Sequence, residues 1–208
     1  MPVPNPVSPS AHRAKRSGNR SRKGRGTLAE VEVTMEFHRS ELCRTMSGQL
    51  LPVTTIGMVE YGERARRMVT DLKYHHKKVL ALEIALTLVD AFQRIGEVDV
   101  LTWVPTSEQH RLQRGFDHAE LITRHVGALQ SVPVRRLLRR TSHGHQTGQS
   151  RLNRLSGVSF VASPAVRGRR VVVIDDVLTT GATFAAATEA LGHCNVASIV
   201  CLSYAFVP

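Results

Sequence analysis

Apolar residues recur at helical spacing from Tyr61 to Lys73 and again from Lys77 to Arg94. Met68, Val69 and Leu72 form a short stripe; Val79, Leu82, Leu86, Val89 and Phe92 form a longer one, widened by Ile84, Ala85 and Leu88. This spacing predicts two packed helices, the second ended by Gly96. Val98 to Val104 is apolar, bounded by Pro105, and strand-like in character. Thr106 to Gly115 is polar and is expected to be a loop, after which Phe116, Ala119, Ile122 and Val126 mark a third helix. Val134 to Leu138 is a second strand candidate, and Arg139 to Arg151 has no apolar residue, the composition of a mobile loop. Val158 to Val161 reads as a brief strand and Arg170 to Ile174 as a strongly β-branched one. Phe184, Ala187 and Leu191 share a helical face, and Val196 to Ser203 is a further strand. Strands alternating with helices imply βαβ units, hence an α/β fold whose parallel sheet is covered on both faces.

Composition narrows the class. A chain of 208 residues, 42% apolar and 22% charged, suffices for one domain of ordinary size without disulfides or a structural metal. Cys43, Cys194 and Cys201 form no CxxC pair and no even framework, which excludes a secreted disulfide scaffold and fits a reducing compartment. No apolar run approaches the roughly 20 residues that cross a bilayer, and the basic N-terminus lacks the apolar stretch of a signal peptide. A cytoplasmic protein with no membrane partner is expected.

Charge is distributed unevenly. Residues 1–27 hold seven Lys/Arg and no acid, and cannot bury a core; they are expected to be a disordered basic tail. Such a tail is either an arm for nucleic acid or a solubilising segment, and the lack of interleaved aromatics favours the second. Residues 111–170 hold twelve arginines against two acids, while residues 171–208 hold three acids and no Lys/Arg. A basic stretch feeding into a strand that ends in two aspartates suggests a polyanion site assembled beside a carboxylate pair.

The most specific stretch is Val171 to Thr183, VVVIDDVLTTGAT. A β-branched run makes a buried parallel strand, and ligands of open α/β sheets sit at the carboxyl ends of such strands. Asp175 and Asp176 would then project at the sheet rim, where carboxylates accept hydrogen bonds from the vicinal hydroxyls of a sugar. Thr179, Thr180, Gly181, Ala182 and Thr183 lead into a helix, and its first amides together with the threonine hydroxyls make a phosphate cradle. Read in order, the parts describe a binder of a ribose 5-phosphate.

These thirteen residues resemble the phosphoribosyl pyrophosphate signature of type I phosphoribosyltransferases. The wider chain is similar to the ComF branch of that family through Tyr61-Gly62, Leu72-Lys73, Val104-Pro105, Arg111, Arg114 to Ala119, Gln146-Thr147, Arg151, Arg154 and the signature itself. The resemblance covers about residues 59–208, taken as the phosphoribosyltransferase domain, with 28–58 as a short N-terminal segment. It implies the type I phosphoribosyltransferase fold, a central, mostly parallel sheet flanked by helices. It further implies that Asp175 and Asp176 bind the ribose hydroxyls of phosphoribosyl pyrophosphate and that Thr179 to Thr183 hold the 5-phosphate. Pro105, Thr106 and Ser107 would help bind pyrophosphate, with Arg111, Arg114 and Arg151 brought towards it. Displacing pyrophosphate from C1 builds an oxocarbenium-like centre and charges the leaving group, so an enzyme would aim Mg²⁺ and arginines at the diphosphate. No residue is assigned as a resident metal ligand.

The departures are as informative. ComF-like proteins often carry an N-terminal zinc module with CxxC pairs, and here Cys43 stands alone, short of the four ligands of structural zinc. His143 with His145, and His75 with His76, are expected to be solvent-facing. Two function classes follow: a Mg²⁺-dependent enzyme transferring the phosphoribosyl group to a nitrogenous acceptor, or a non-catalytic phosphoribosyl pyrophosphate or nucleotide-binding module acting in DNA uptake or regulation, with a competence-machinery partner. A homodimer is compatible with either.

Overall fold

The computed structural model describes residues 37–45, 48–141 and 157–208. Strands β1 (Phe37–Arg44) and β2 (Leu50–Glu60) precede helices α1 (Glu63–Tyr74) and α2 (Leu80–Phe92), strand β3 (Val100–Trp103), and helices α3 (Glu108–Arg114) and α4 (His118–Gln130). There follow β4 (Leu138–Thr141), β5 (Ser159–Ala162), β6 (Arg170–Leu178), α5 (Ala182–Gly192) and β7 (Ser198–Phe206). The main sheet has the order β1-β2-β7-β6-β3; β4 and β5 pair separately as an antiparallel ribbon. β2, β7, β6 and β3 are mutually parallel, and β1 runs antiparallel along the β2 edge. The expected α/β class and mostly parallel sheet are therefore present. No helix among the described residues is long and apolar enough to cross a membrane.

Both faces of the sheet are buried, which explains why its strands read as continuous apolar runs. Val171 and Val173 of β6 pack on one face with Phe184, Ala187 and Leu191 of α5 and with Leu138 and Phe160 of the ribbon. Val172 and Ile174 pack on the other with Leu72 of α1, Ile84 and Leu88 of α2, and Ile122 and Val126 of α4. Successive side chains of a strand point to opposite faces, so this sorting of 171–174 also decides where residues 175 and 176 go.

Three expectations need correction. The boundary at 58/59 falls inside β2, a full member of the sheet that pairs with β7 from Val53↔Ile199 to Glu60↔Phe206. Leu51, Val53, Ile56 and Met58 are buried, but their irregular spacing hides the strand from a period-2 reading. The polar stretch Thr106 to Gly115 is not a loop throughout, because it contains α3. That helix buries no residue, so it has no apolar stripe to betray it; it rests on its caps instead. Ser107 Oγ accepts from His110 N at 3.3 Å, and Gly115 closes the helix in the left-handed region at φ 72°. Finally, Val134 makes one isolated parallel bridge to Leu101, and the strand proper starts only at Leu138.

Candidate functional site

β6 extends four residues past Ile174, carrying the acid pair within the ladder: Asp175 is paired with Ser203 and Val177 with Ala205 of β7. Alternation then separates the two carboxylates. Asp175 follows Val171 and Val173 onto the α5 face and is half-buried. Asp176 follows Val172 and Ile174 towards α1 and α4 and is only 4% exposed. The expectation that both acids stand open at the rim is corrected for Asp176, which alternation turns inward, while Asp175 is half-buried.

Burying a carboxylate is costly unless it is paired. Asp176 Oδ2 lies 2.6 Å from Lys73 Nζ and 3.1 Å from His118 Nε2. Lys73 comes from the last turn of α1 and His118 opens α4, so two helices of one face converge on a single carboxylate. Burial opposes ionisation of Asp176, but His118 and Lys73 outweigh it and hold the carboxyl well below the usual range. Asp175 shows the reverse. Burial, reinforced by the charge of Asp176, pushes its pKa up to about 7 against the opposing pull of His118 and Lys73. Asp175 Oδ1 accepts from the Asp176 amide at 2.9 Å.

Arg114 extends the cluster. Its guanidinium lies 4.9 Å over the Tyr74 ring, with Nη2 donating to Tyr74 Oη at 3.3 Å and Nη1 3.4 Å from His118 Nδ1. Asp117 braces the turn after β3: Oδ2 accepts from Thr106 N at 2.9 Å, while Oδ1 caps α4 by accepting from Ala119 N at 3.1 Å. Pro105 is buried, and Thr106 and Ser107 are half-buried with their described polar contacts directed to these caps. Arg111 does not join the acid cluster. It is exposed and, with Phe116 and Arg124, lines a separate cavity of about 460 Å³.

The turn after β6 leads straight into α5. Thr179 and Thr180 are exposed, and Ala182 and Thr183 are half-buried in the first turn of α5. Gly181, the N-cap, has φ 75°, which only a glycine adopts without strain. Thr180 Oγ1 reaches Ala182 N at 3.4 Å, a long contact that leaves the first-turn amides positioned for an anion. Arg151, together with Gln146, Thr147, Arg154, His143, His145 and the tail 1–27, lies outside the described residues.

The oxygen and nitrogen donors of His118, Asp175 and Asp176 lie within 4.8 Å of one another. Mg²⁺ is commonly bound by one or two carboxylates with the remaining positions taken by water and substrate oxygens, a count that these two acids meet. Lys73 already occupies Asp176 Oδ2, which makes Asp175 the better carboxylate for such an ion.

Residues 112–206 match the family described as a phosphoribosyl transferase domain. The matched segment is phosphoribosyltransferase-like. Similar solved structures include the glutamine phosphoribosylpyrophosphate amidotransferase from B. subtilis, at 20% identity over 59% of this chain and 25% of that one, TM-score 0.41. Another is the adenine phosphoribosyltransferase from Thermoanaerobacter pseudethanolicus, at 15% identity over 64% of this chain and 83% of that one, TM-score 0.43. The chain therefore spans a quarter of the amidotransferase's length. No curated protein matches it. The phosphoribosyltransferase-like segment includes His118, the acid pair and the threonine turn but begins after α1, so Lys73 lies outside it.

Lys73, His118 and Tyr74 are the site residues that reading the sequence missed. Leu72-Lys73 and Asp117-His118 stand within the resembling stretches, but neither has a local partner in sequence. A lysine one residue beyond the buried stripe of α1 was the available signal.

Proposed function

We propose that the chain binds phosphoribosyl pyrophosphate with Mg²⁺ at the carboxyl end of β6 and transfers the phosphoribosyl group to a nitrogenous acceptor. The bond from C1 to the diphosphate oxygen breaks, a bond from C1 to the acceptor nitrogen forms, and pyrophosphate departs. One observation carries this reading: a carboxylate pair at the end of a parallel strand runs directly into a glycine-capped helix start. The half-buried Asp175 accepts from the ribose hydroxyls, and Thr179 to Thr183 with the first amides of α5 hold the 5-phosphate. Asp176 acts from behind, its charge balanced by Lys73 and His118, so that carboxyl, ammonium and imidazole keep fixed places beside the sugar. Arg114, seated on Tyr74, supplies positive charge for the leaving diphosphate. Asp175 is the residue that would hold Mg²⁺, and the ion, when bound, would supply positive charge for a diphosphate leaving group.

Calorimetry with Mg²⁺ and phosphoribosyl pyrophosphate tests the site, with at least a tenfold loss of affinity expected for Asp175→Asn. Unchanged affinity would refute it. A second reading, a non-catalytic ComF-like module serving DNA uptake or regulation, is favoured by the engagement of buried Asp176 Oδ2 by both Lys73 and His118. Pyrophosphate release with a panel of nucleobases separates the two: turnover supports the enzyme, and tight binding without release supports the module.

A further inference from the structure

The arginines of residues 111–170 do not all serve the acid pair. Arg135, Arg136 and Arg169 line a cavity of about 490 Å³ at the opposite, amino end of β3 and β6. Arg169 precedes Asp175 by six residues in nearly extended chain, which at ~3.3 Å per residue puts roughly 20 Å between them. This cavity is therefore separate from the proposed phosphoribosyl site.

Its described lining is mainly basic, and Asp99 is held below the usual carboxylate range by Arg170 first and by Arg169 last. Asp99 is the carboxylate on its wall, and both Asp99 oxygens are engaged by Arg170: Nη2 reaches Oδ1 at 2.6 Å, while Nε at 3.0 Å and the backbone amide at 2.8 Å reach Oδ2. Arg170 also pairs with Glu97. Arg135, Arg136 and Arg169 are exposed, and among the described residues no carboxylate lies within ion-pair distance of any of them. Arg135 is partly anchored, its Nη1 donating to Val134 O at 3.2 Å. Val100 and Leu137 give the cavity a buried apolar floor.

Size and chemistry together select the ligand. Cavities of about 300 to 1,000 Å³ suit small molecules, and a guanidinium fork matches phosphate oxygens two at a time. Among the described residues no aromatic side chain lines the cavity, so they offer no platform on which nucleic-acid bases could stack. We propose that this cavity is a second anion site, taking the di- or triphosphate group of a small molecule, either free or carried by a nucleotide. It goes beyond the phosphoribosyl reading and does not depend on it.

The test is calorimetry of the full chain with inorganic tripolyphosphate at 0.15 M salt, repeated with ATP. Replacing Arg135, Arg136 and Arg169 by Ser should weaken tripolyphosphate at least tenfold, and Asp175→Asn should leave it within twofold. Arg169→Glu alone should weaken binding severalfold, which keeps the test decisive if the triple variant folds poorly. ATP binding equally tightly would mark the phosphates as the feature read, and tighter ATP binding would mark a nucleotide. The proposal is overturned if the arginine variants bind as the parent does, or if they lose affinity for a DNA duplex but not for tripolyphosphate. It is equally overturned if Asp175→Asn abolishes tripolyphosphate binding, since the anion would then sit at the carboxyl end; failure of the phosphoribosyl reading is seen separately, with phosphoribosyl pyrophosphate.

Discussion

Strand β6 has an ion-pair network at each end. At its start Arg170 pairs with Asp99 and Glu97; near its finish Asp176 pairs with Lys73 and His118. The first centres on a cation and the second on an anion, and the Arg170 side chain is 39% exposed while that of Asp176 is 5%. Water competes with the first network and is shut out of the second. Screening therefore makes the outer network weak and replaceable, whereas an unpartnered charge in the inner one would have no solvent to fall back on.

Lys73→Met should show the largest effect, about 3 kcal/mol or more of lost stability in urea unfolding, because it leaves a buried carboxylate without its ammonium. Adding Asp176→Asn should restore much of that loss. If the double variant is no more stable than Lys73→Met, the buried pair is not what the lysine serves.

The next largest effect lies in pH dependence. The folded-state pKa of Asp175 is raised to about 7, so folding favours its protonated form. The associated stability is complete below the ordinary carboxylate pKa near 4 and is lost as pH rises through about 7. Asp175→Asn should flatten this part of the curve and raise the melting temperature above pH 7. The inner carboxylate has the opposite sign: the depressed pKa of Asp176 gives stability that is present above the ordinary value and lost only in strong acid. A stability curve of Asp175→Asn that still falls from pH 4 to 7 like the parent's would dismiss this division of labour.

Arg170→Ala should lower the melting temperature less than Lys73→Met does, and the difference from the parent should shrink in 1 M NaCl as screening replaces the lost pairing. A salt-independent loss would show that water does not reach the outer network. Smallest of all, Arg39→Ala breaks an ion pair with Glu41 whose side chains are 66% and 39% exposed, and no resolvable change in melting temperature is expected.

The difference between the two ends also explains what was legible in the sequence. The acid pair and the threonine turn are local patterns, both contained in the thirteen residues from Val171 to Thr183, and the parallel sheet shows as strands alternating with helices along the chain. Lys73 and His118 meet Asp176 across about 100 and 60 residues of chain, and no local pattern encodes such a meeting. The arginine-rich stretch suggested one polyanion site because sequence proximity says nothing of which end of a strand a side chain reaches. α3 was hidden for a different reason: a helix that buries no side chain leaves no periodic trace.

The pairing of β2 with β7 also governs how the chain must assemble. During synthesis β2 emerges early, and its parallel neighbour is made after β6 and α5, so Val53 waits for Ile199 across most of the described sequence. Until then β2 and β6 each present an unpaired apolar edge to the same vacant lane, a hazard for nascent chains that can pair with one another. β7 is thus the strand that joins the two halves of the sheet, and a chain lacking Ser198 to Phe206 would hold β1-β2 and β6-β3 with nothing between them.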